Sequence, residues 1–213
     1  KSIEINEKKI NMIHEKDISK INWKKYDVDI VVECTGKFNT KEKSILHIKN
    51  GAKKVIVSAP CKNADKTVVY GVNHKSIKKS DLIISAASCT TNCLAPIAFV
   101  IHNTFKIESG FMTTIHSYTT DQRLLDNSHK DPRRARSAGQ SIIPTSTGAS
   151  KLLEEIIPDL KGKLEGLAMR VPTPNVSLVD FIFNSEKSIL RGEYSFSWHK
   201  EQLQLKSAFQ PRF

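Results

Sequence analysis

The chain of 213 residues contains no apolar run that approaches membrane-spanning length, and its lysine-rich start lacks the hydrophobic segment of a secretory signal. Cysteine is also scarce, because four cysteines are too few for a disulfide framework at this size. We therefore expect reduced thiols, a cytoplasmic location and no membrane partner. With 39% hydrophobic residues, the chain still has enough apolar material for one domain or two small ones.

Acidic residues are outnumbered, since 22 Asp and Glu stand against 33 Lys and Arg and leave a net charge of +11. A basic balance is found in nucleic-acid-binding proteins, but here the lysines are scattered and alternate with acids, as in residues 41–43. We interpret them as a solvated surface and do not expect a nucleic-acid partner. Anionic small molecules are natural partners for the remaining positive charge.

A metal site is not expected either. Cys89 and Cys93 are four residues apart, so on a helix they could face the same way. A structural zinc site needs four ligands, and no second Cys/His cluster lies nearby to complete it.

The first part of the chain predicts a parallel sheet. Residues 27–33 predict a buried strand, because residues 30–32 are apolar without polar alternation, and residues 54–58 predict a second one. Residues 40–49 predict a helix between them. A strand, a helix and a strand in succession form the unit of a parallel sheet. Residues 68–70 and 82–85 predict two more short strands.

The helix expected at residues 40–49 has recognisable ends, because Thr40 can cap its start and Gly51 ends it. Three residues form its expected apolar face: Ile45, Leu46 and Ile48. The turns at residues 34–36 and 58–60 would lie at the carboxyl ends of the flanking strands, where open α/β sheets bind ligands.

The run Ser-Cys-Thr-Thr-Asn-Cys at residues 88–93 follows a strand-like segment and opens a helix-like one, so Cys89 would lie where a helix begins. Unpaired N–H groups and the helix dipole favour an anion there. A thiol at such a point loses its proton more easily, and the thiolate is the nucleophile. The alternative is that Cys89 is one more small buried apolar residue.

The pattern changes after this run. Pro96 predicts a kink or a boundary in the helix-like segment, because proline lacks a backbone donor. Residues 111–118 alternate like a strand and place Thr114, His116 and Tyr118 on one face. The polar, arginine-rich residues 121–139 predict a long irregular loop. A further helix and two strands are expected at residues 149–157, 164–171 and 176–183.

Two later runs suit an oxyanion, above all a phosphate. Residues 144–148 bring hydroxyls and a glycine with a free backbone N–H, and residues 169–177 bring the fixed charge of Arg170. Each has a structural alternative. Thr147 and Gly148 could cap the helix that follows, and Arg170 could pair with Asp180.

The runs at residues 88–93, 113–119 and 170–175 resemble, in order and approximate spacing, those of the glyceraldehyde-3-phosphate dehydrogenase family. The resemblance covers roughly residues 21–183. It implies an α/β fold, with an incomplete Rossmann-type parallel sheet followed by part of an α+β catalytic domain that has a mostly antiparallel sheet. The implied domains are an NAD-binding remnant at 1–87, a partial catalytic domain at 88–184 and an unassigned tail at 185–213.

The activity implied by the resemblance is the phosphorylating, NAD-dependent oxidation of glyceraldehyde 3-phosphate to 1,3-bisphosphoglycerate in glycolysis, by a homotetramer. Cys89 would form the thioester, and His116 would move the proton. The other implied roles are attacking phosphate for Ser88, Thr90, Thr147 and Gly148, substrate phosphate for Thr119, Arg134 and Arg170, and cofactor for Thr35, Gly36 and Ser58. Residues 121–139 match the family's S-shaped loop.

The family's Gly-x-Gly-x-x-Gly turn, which holds the dinucleotide pyrophosphate, has no counterpart among the nine dispersed glycines. The missing turn leaves open that the chain is a non-catalytic basic fragment of the family. A second alternative is erythrose-4-phosphate dehydrogenase, which shares the same motifs.

Overall fold

The computed structural model describes residues 1–188, so most of the tail at 185–213 lies outside the described residues. The chain divides into two compact units. The first comprises residues 1–66 and 78–86, and the second comprises residues 67–77 and those from 87 onward. No helix of the described part is long and apolar enough to span a bilayer.

The first unit contains a hairpin and most of a parallel sheet. Its elements, in chain order, are β1 (Ser2–Ile5), β2 (Lys8–Asn11), β3 (Ile30–Glu33), α1 (Lys41–Lys49), β4 (Lys54–Val57), β5 (Lys66–Thr67, at the division between the units) and β6 (Ile83–Ser85). Strands β1 and β2 pair with each other, and the four-stranded sheet has the order β3-β4-β6-β5. Strand β4 is parallel to both β3 and β6. The predicted strand, helix and parallel strand are confirmed.

Helix α1 begins and ends where the sequence predicts. The Thr40 side chain accepts a hydrogen bond from the amide of Lys43, and Gly51 follows the helix with φ of +104°. A side chain at Gly51 would also come within 2.8 Å of Lys24, so glycine is required there. The expected apolar face is only partly right, because the two buried residues of α1 are Ser44 and His47.

Burial of the first sheet is one-sided at β3. Val31 packs in a cluster with Val55, Val57 and Ile83, whereas Ile30 and Val32 are 51% and 59% exposed. The expectation of a strand buried on both faces is therefore wrong for β3 in the described residues.

The strand expected at residues 68–70 is also wrong, because β5 ends at Thr67. The Asn73 side chain accepts a hydrogen bond from the Val69 amide, and the Val72 amide donates to the Val69 carbonyl. Those bonds turn the chain, so Val69 does not join a ladder.

Up to residue 188, where the described part of the chain ends, the second unit contains two α-helices and one mixed sheet. Its elements are α2 (Cys89–Phe105), β7 (Ile107–Ser117), β8 (Ile143–Thr145), α3 (Ala149–Ile156), β9 (Leu164–Val171) and β10 (Leu178–Ser185). The sheet order is β10-β7-β9-β8. Of its three pairings, β10–β7 and β8–β9 are antiparallel and β7–β9 is parallel, so the mostly antiparallel sheet is confirmed.

Helix α2 continues past Pro96, so a boundary at that residue is not found. An interior proline costs about 3 kcal/mol. The surrounding residues Leu94, Ala95 and Ala98 are at most 1% exposed and pack in the same cluster as Leu153 of α3. Burial along this face offsets the missing backbone bond.

Residues 121–139 are irregular apart from a short 3-10 helix at Pro132–Ala135, as the sequence predicts. The Asp131 side chain caps this helix by accepting from the Arg133 amide. The loop lies between β7 and β8 in the chain. Three of its arginines, Arg133, Arg134 and Arg136, pair with acidic residues of the same loop.

Candidate active site

Cys89 is the first residue of α2 and is exposed. Ser88 is the N-cap, with extended backbone, and its hydroxyl oxygen accepts a hydrogen bond from the Thr91 amide at 3.1 Å. A 17-residue helix places the positive end of its dipole at this thiol. The prediction that a helix begins at Cys89 is therefore confirmed.

His116 lies near the end of β7, and its Nε2 is 3.2 Å from the Sγ of Cys89. Its Nδ1 is 2.7 Å from the Ser117 carbonyl oxygen, which can only accept. The Nδ1 atom therefore carries the hydrogen in the neutral imidazole. That tautomer leaves the lone pair of Nε2 directed at the thiol.

Arg170 on β9 lies opposite His116 in the parallel pairing of β7 and β9. Its Nη1 donates to the Ser117 carbonyl at 3.1 Å and to the Thr119 hydroxyl at 3.3 Å. The same Nη1 is 3.1 Å from Nδ1 of His116, because both groups converge on one carbonyl. No ion pair of the described residues joins Arg170 to Asp180, so that alternative is not observed.

Arg170 is half-buried, and its enclosed Nε has no hydrogen-bond partner in the described part of the chain. Burial, followed by the positive charge of Arg134, lowers the pKa of Arg170 from its ordinary value. The guanidinium remains a cation at neutral pH. A half-buried, partly unpaired cation beside His116 is a receptor for an anion.

Arg134 is already paired within its own loop. Its Nε donates to the Thr145 hydroxyl at 3.0 Å, and its Nη1 forms an ion pair with Asp121. Thr145 is on β8, two residues after Ile143, which pairs with Arg170 on β9. Arg134 therefore borders the same end of the sheet, but its charge is shared with a carboxylate.

Two acidic residues of this loop, Asp121 and Asp131, have pKa values that the arginines lower. The pKa of Asp131 falls to about 2, chiefly through the hydrogen bond from the Arg133 side chain. Burial alone would raise the pKa of Asp121, but the Arg134 hydrogen bond and charge outweigh it and lower that pKa.

Thr90, Thr147 and Gly148 occupy the starts of two helices. Thr90 is buried in the first turn of α2, and Gly148 is the N-cap of α3. The Thr147 hydroxyl accepts from the Ala149 amide at 3.2 Å, so the capping alternative is observed for this residue. No hydrogen bond between the described residues links Thr147 or Gly148 to the start of α2.

The three candidate cofactor residues belong to the first unit. Thr35 and Gly36 follow β3, Ser58 follows β4, and all three are exposed. The Ser58 amide donates to the Glu33 carbonyl at 3.0 Å, which joins the two turns. Gly36 has φ of +72° and no atom within 4 Å of where a side chain would begin. An open turn at the carboxyl edge of a parallel sheet fits a dinucleotide.

Sequence reasoning missed several residues that shape these sites. Asp121 pairs with Arg134, and Gln122 is 5% exposed with an unpartnered Nε2 and an Oε1 that accepts from the Thr119 amide at 3.4 Å. The signal for Asp121 was present, since it is an acid in an arginine-rich segment. Glu33 and His47, both buried, gave no such signal.

Two of the other thiols, Cys61 and Cys93, have raised pKa values. Burial raises the pKa of Cys61, and burial followed by the charge of Cys89 raises the pKa of Cys93. All four cysteines are free. Within the described residues, no group of three His, Cys, Asp or Glu side chains could hold a metal ion.

Comparison with family models finds two matches. Residues 88–196 match the C-terminal domain of glyceraldehyde 3-phosphate dehydrogenase, and residues 1–41 match the NAD binding domain of the same family. These ranges extend beyond the span of residues 21–183 that the motifs delimit.

Curated relatives carry the same name. The chain is 54% identical to glyceraldehyde-3-phosphate dehydrogenase 2 of Bacillus subtilis over 193 residues, which cover 90% of this chain and 57% of the relative. It is 59% identical to the glyceraldehyde-3-phosphate dehydrogenase of Cereibacter sphaeroides over 160 residues, which cover 75% of this chain and 48% of that relative. The identity to the glyceraldehyde-3-phosphate dehydrogenase of Geobacillus stearothermophilus is 56% over 186 residues, which cover 87% of this chain and 56% of that relative. The chain thus spans about half the length of these relatives.

Proposed function

This chain belongs to the glyceraldehyde-3-phosphate dehydrogenase family, and from that premise we propose that it carries the chemistry of phosphorylating aldehyde oxidation. The reaction would convert glyceraldehyde 3-phosphate, NAD and inorganic phosphate to 1,3-bisphosphoglycerate and NADH, a step of glycolysis. One observation carries the proposal: the Sγ of Cys89 lies 3.2 Å from the Nε2 of His116 at the start of a long helix.

The first step is attack by the Cys89 thiolate on the aldehyde carbon. The new C–S bond converts the carbonyl oxygen to an oxyanion, and the backbone N–H groups at the start of α2 are donors that can stabilise it. Loss of one such donor typically costs about 3–4 kcal/mol of transition-state stabilisation. His116, which takes the thiol proton when the thiolate forms, returns it to the oxyanion and gives a thiohemiacetal on Cys89.

In the second step His116 removes the hydroxyl proton of the thiohemiacetal through Nε2. The hydrogen on its Nδ1 donates to the Ser117 carbonyl, which keeps the lone pair of Nε2 directed at the reacting atoms. NAD, when bound, would supply the acceptor for the hydride, and the product left on Cys89 would be a thioester. An imidazole suits this exchange, since it accepts and returns a proton near neutral pH.

Phosphate then attacks the thioester carbon, and the C–S bond breaks to release the acyl phosphate and the Cys89 thiolate. We assign Ser88, Thr90, Thr147 and Gly148 to the attacking phosphate. Support comes from their location at the starts of α2 and α3, where unpaired N–H groups favour anions.

We assign Arg170 and Thr119 to the phosphate of the substrate, with Arg134 nearby. The unpartnered Nε of Arg170 and its hydrogen bond to Thr119 support this role. Arg134 would contribute a weaker field, because its ion pair with Asp121 already neutralises much of its charge. Thr35, Gly36 and Ser58 are assigned to NAD.

We further propose a cytoplasmic protein that assembles as a homotetramer with its own kind. Four free thiols suit a reducing compartment. The apolar residues Leu178 and Ile182 on β10 are 59% and 69% exposed and would suit burial against another subunit.

The test of this function is the dependence of NADH formation on inorganic phosphate. With glyceraldehyde 3-phosphate and NAD but no phosphate, we expect at most one NADH per chain, followed by a rate at least about tenfold lower than with phosphate. Mass spectrometry should then find the acyl group on Cys89. Sustained turnover without phosphate would instead favour a non-phosphorylating oxidation. Erythrose 4-phosphate as substrate distinguishes the sister activity, which the names of the relatives do not favour.

Replacing His116 with asparagine should slow alkylation of Cys89 at neutral pH by at least about tenfold, since the base that accepts the thiol proton is lost. The measurement is iodoacetamide labelling against pH, read by mass spectrometry. Cys34 is exposed and lies in the first unit, so it serves as the internal control whose rate should not change. An unchanged rate at Cys89 would remove His116 from the site.

A further inference from the structure

Glu33 is the last residue of β3 and is only 4% exposed, although it is an acid. Its Oε1 accepts from the Thr35 amide at 2.7 Å and from the Thr35 hydroxyl. The Lys37 amide in turn donates to that hydroxyl at 3.2 Å. One carboxylate oxygen therefore defines the turn that begins at Thr35 and includes Gly36.

The other oxygen of Glu33 is bound by a second buried group. His47 of α1 is 5% exposed, and its Nε2 lies 3.1 Å from Oε2 of Glu33. The indole Nε1 of Trp23 lies 3.1 Å from Nδ1 of His47. An indole N–H can only donate, so Nδ1 accepts and Nε2 carries the hydrogen that is donated to Glu33.

These bonds join three elements around one carboxylate: the 3-10 helix that begins at Trp23, helix α1 and strand β3. The donors are matched to the acceptors in only one way. Burial would raise the pKa of Glu33, but the hydrogen bonds from Thr35 and His47 together lower it. Glu33 is therefore an anion at neutral pH, and every bond it accepts is charge-assisted.

We propose that Glu33 is a positioning residue for the dinucleotide site, oriented by His47 and, through it, by Trp23. Its carboxylate engages the Thr35 amide and hydroxyl, so the turn presents the exposed Gly36 backbone at the carboxyl edge of the sheet. No hydrogen bond of the described residues uses the Gly36 amide, which stays available to an anionic ligand. This assignment rests on the proposed use of NAD.

The network predicts the behaviour of a specific pair of variants. In Glu33→Gln, the new NH₂ group must face either the Thr35 donors or the His47 N–H, so two donors oppose each other in either orientation. Removing the indole donor with Trp23→Phe lets the hydrogen of His47 move to Nδ1. Nε2 of His47 can then accept from the introduced amide, whose oxygen faces the Thr35 donors as the native carboxylate does.

The experiment compares the wild-type chain, Glu33→Gln, Trp23→Phe and the double variant. The control is Glu42→Gln, an exposed glutamate on α1 that bonds the Asn63 side chain. NAD binding is measured by calorimetric titration, and exchange of the amides at residues 33–38 is followed by mass spectrometry without NAD. We expect Glu33→Gln to raise the Kd for NAD and the exchange rate by about tenfold each, because one buried donor is left unmatched.

The double variant should return to within about threefold of Trp23→Phe on both readouts, and Glu42→Gln should match the wild type. In assays of turnover, Glu33→Gln should raise the KM for NAD and leave kcat within about twofold. A merely structural role for Glu33 would lower kcat and the thermal stability together with the affinity for NAD, and would not confine the loss to the KM for NAD.

Two outcomes separate this assignment from the function on which it rests. If the wild-type chain binds NAD and Glu33→Gln binds it equally well, the positioning role is overturned and the function stands. If the wild-type chain does not bind NAD, the proposed function and this assignment fall together. Should Glu33→Gln not fold, the double variant is still expected to fold, and its failure to do so would overturn the network.

Discussion

Replacing Cys89 with serine should abolish the thioester and lower the rate of NADH formation by at least about ten-thousand-fold. Removal of a covalent nucleophile from a site that works as a unit costs on the order of 10⁴ to 10⁶ in kcat. A serine hydroxyl at the start of α2 does not ionise near neutral pH, even with the Nε2 of His116 within reach of residue 89. The rate is measured from NADH absorbance with saturating glyceraldehyde 3-phosphate, NAD and phosphate.

The matched control for this variant is Cys93→Ser, one helical turn further along α2. Burial raises the pKa of the Cys93 thiol, so it is not expected to react, and its replacement should leave the rate within about twofold. The Tm of Cys89→Ser should equal that of the wild-type chain, because residue 89 is exposed. Accumulation of an acyl adduct in Cys89→Ser would contradict the assignment.

Replacing Arg170 with glutamine should lower kcat/KM for glyceraldehyde 3-phosphate by about a hundredfold or more. Loss of one partner from a buried, hydrogen-bonded charge pair costs about 2–5 kcal/mol, and the substrate phosphate would be that partner. The kcat/KM of Arg170→Lys should lie between those of the wild type and Arg170→Gln, since a lysine keeps the charge but not the fork of donors. The comparison substrate is unphosphorylated glyceraldehyde, for which the loss should be less than about fivefold.

Arg136→Gln provides the control for charge alone. Arg136 is exposed and pairs with Asp126 at 3.0 Å. Its replacement should therefore leave kcat/KM for both aldehydes within about twofold of the wild-type values. Circular dichroism and Cys89 alkylation separate binding from folding, because Arg170 also donates to the Ser117 carbonyl. An equal loss with both aldehydes would assign Arg170 to the support of His116 and not to the phosphate.

Structural roles that depend on neighbouring residues in the chain could be predicted from the sequence. The start of α2 at Cys89 was predicted from the residue types of the run at 88–93, because helix starts are decided within three or four positions. The same holds for Thr40 and Gly51 at the two ends of α1. Strand β9 also begins and ends where the pattern predicts.

Contacts between residues that are distant in the sequence could be predicted only from the family resemblance. His116 is 27 positions from Cys89, and the alternation of β7 gave its face but not its neighbour. The competing pair of Arg170 with Asp180 was equally plausible by charge. Pairing of β7 with β9 on one side and β10 on the other decides against it, since His116 is opposite Arg170 while Asp180 is opposite Thr113.

Burial was the property that sequence reasoning predicted least well. Hydrophobicity suggested Ile45, Leu46 and Ile48 as the inner face of α1, whereas Ser44 and His47 are the residues it buries. A buried histidine is stable there because Glu33 and Trp23 satisfy both ring nitrogens. Hydropathy scales treat His47 as polar, and the partners that make it a core residue lie 14 and 24 positions away.

The sequence by itself determined where a reactive cysteine meets a helix start, which segments form most of the strands and helices, and to which family the motifs are similar. These depend on short-range capping, periodicity and residue type. Tertiary structure alone decided that Nε2 of His116 faces Cys89, that Arg134 shares its charge with Asp121, and that a buried Glu33 holds the Thr35 turn. Such contacts follow from strand order and register, which bring together side chains that the linear pattern leaves unrelated.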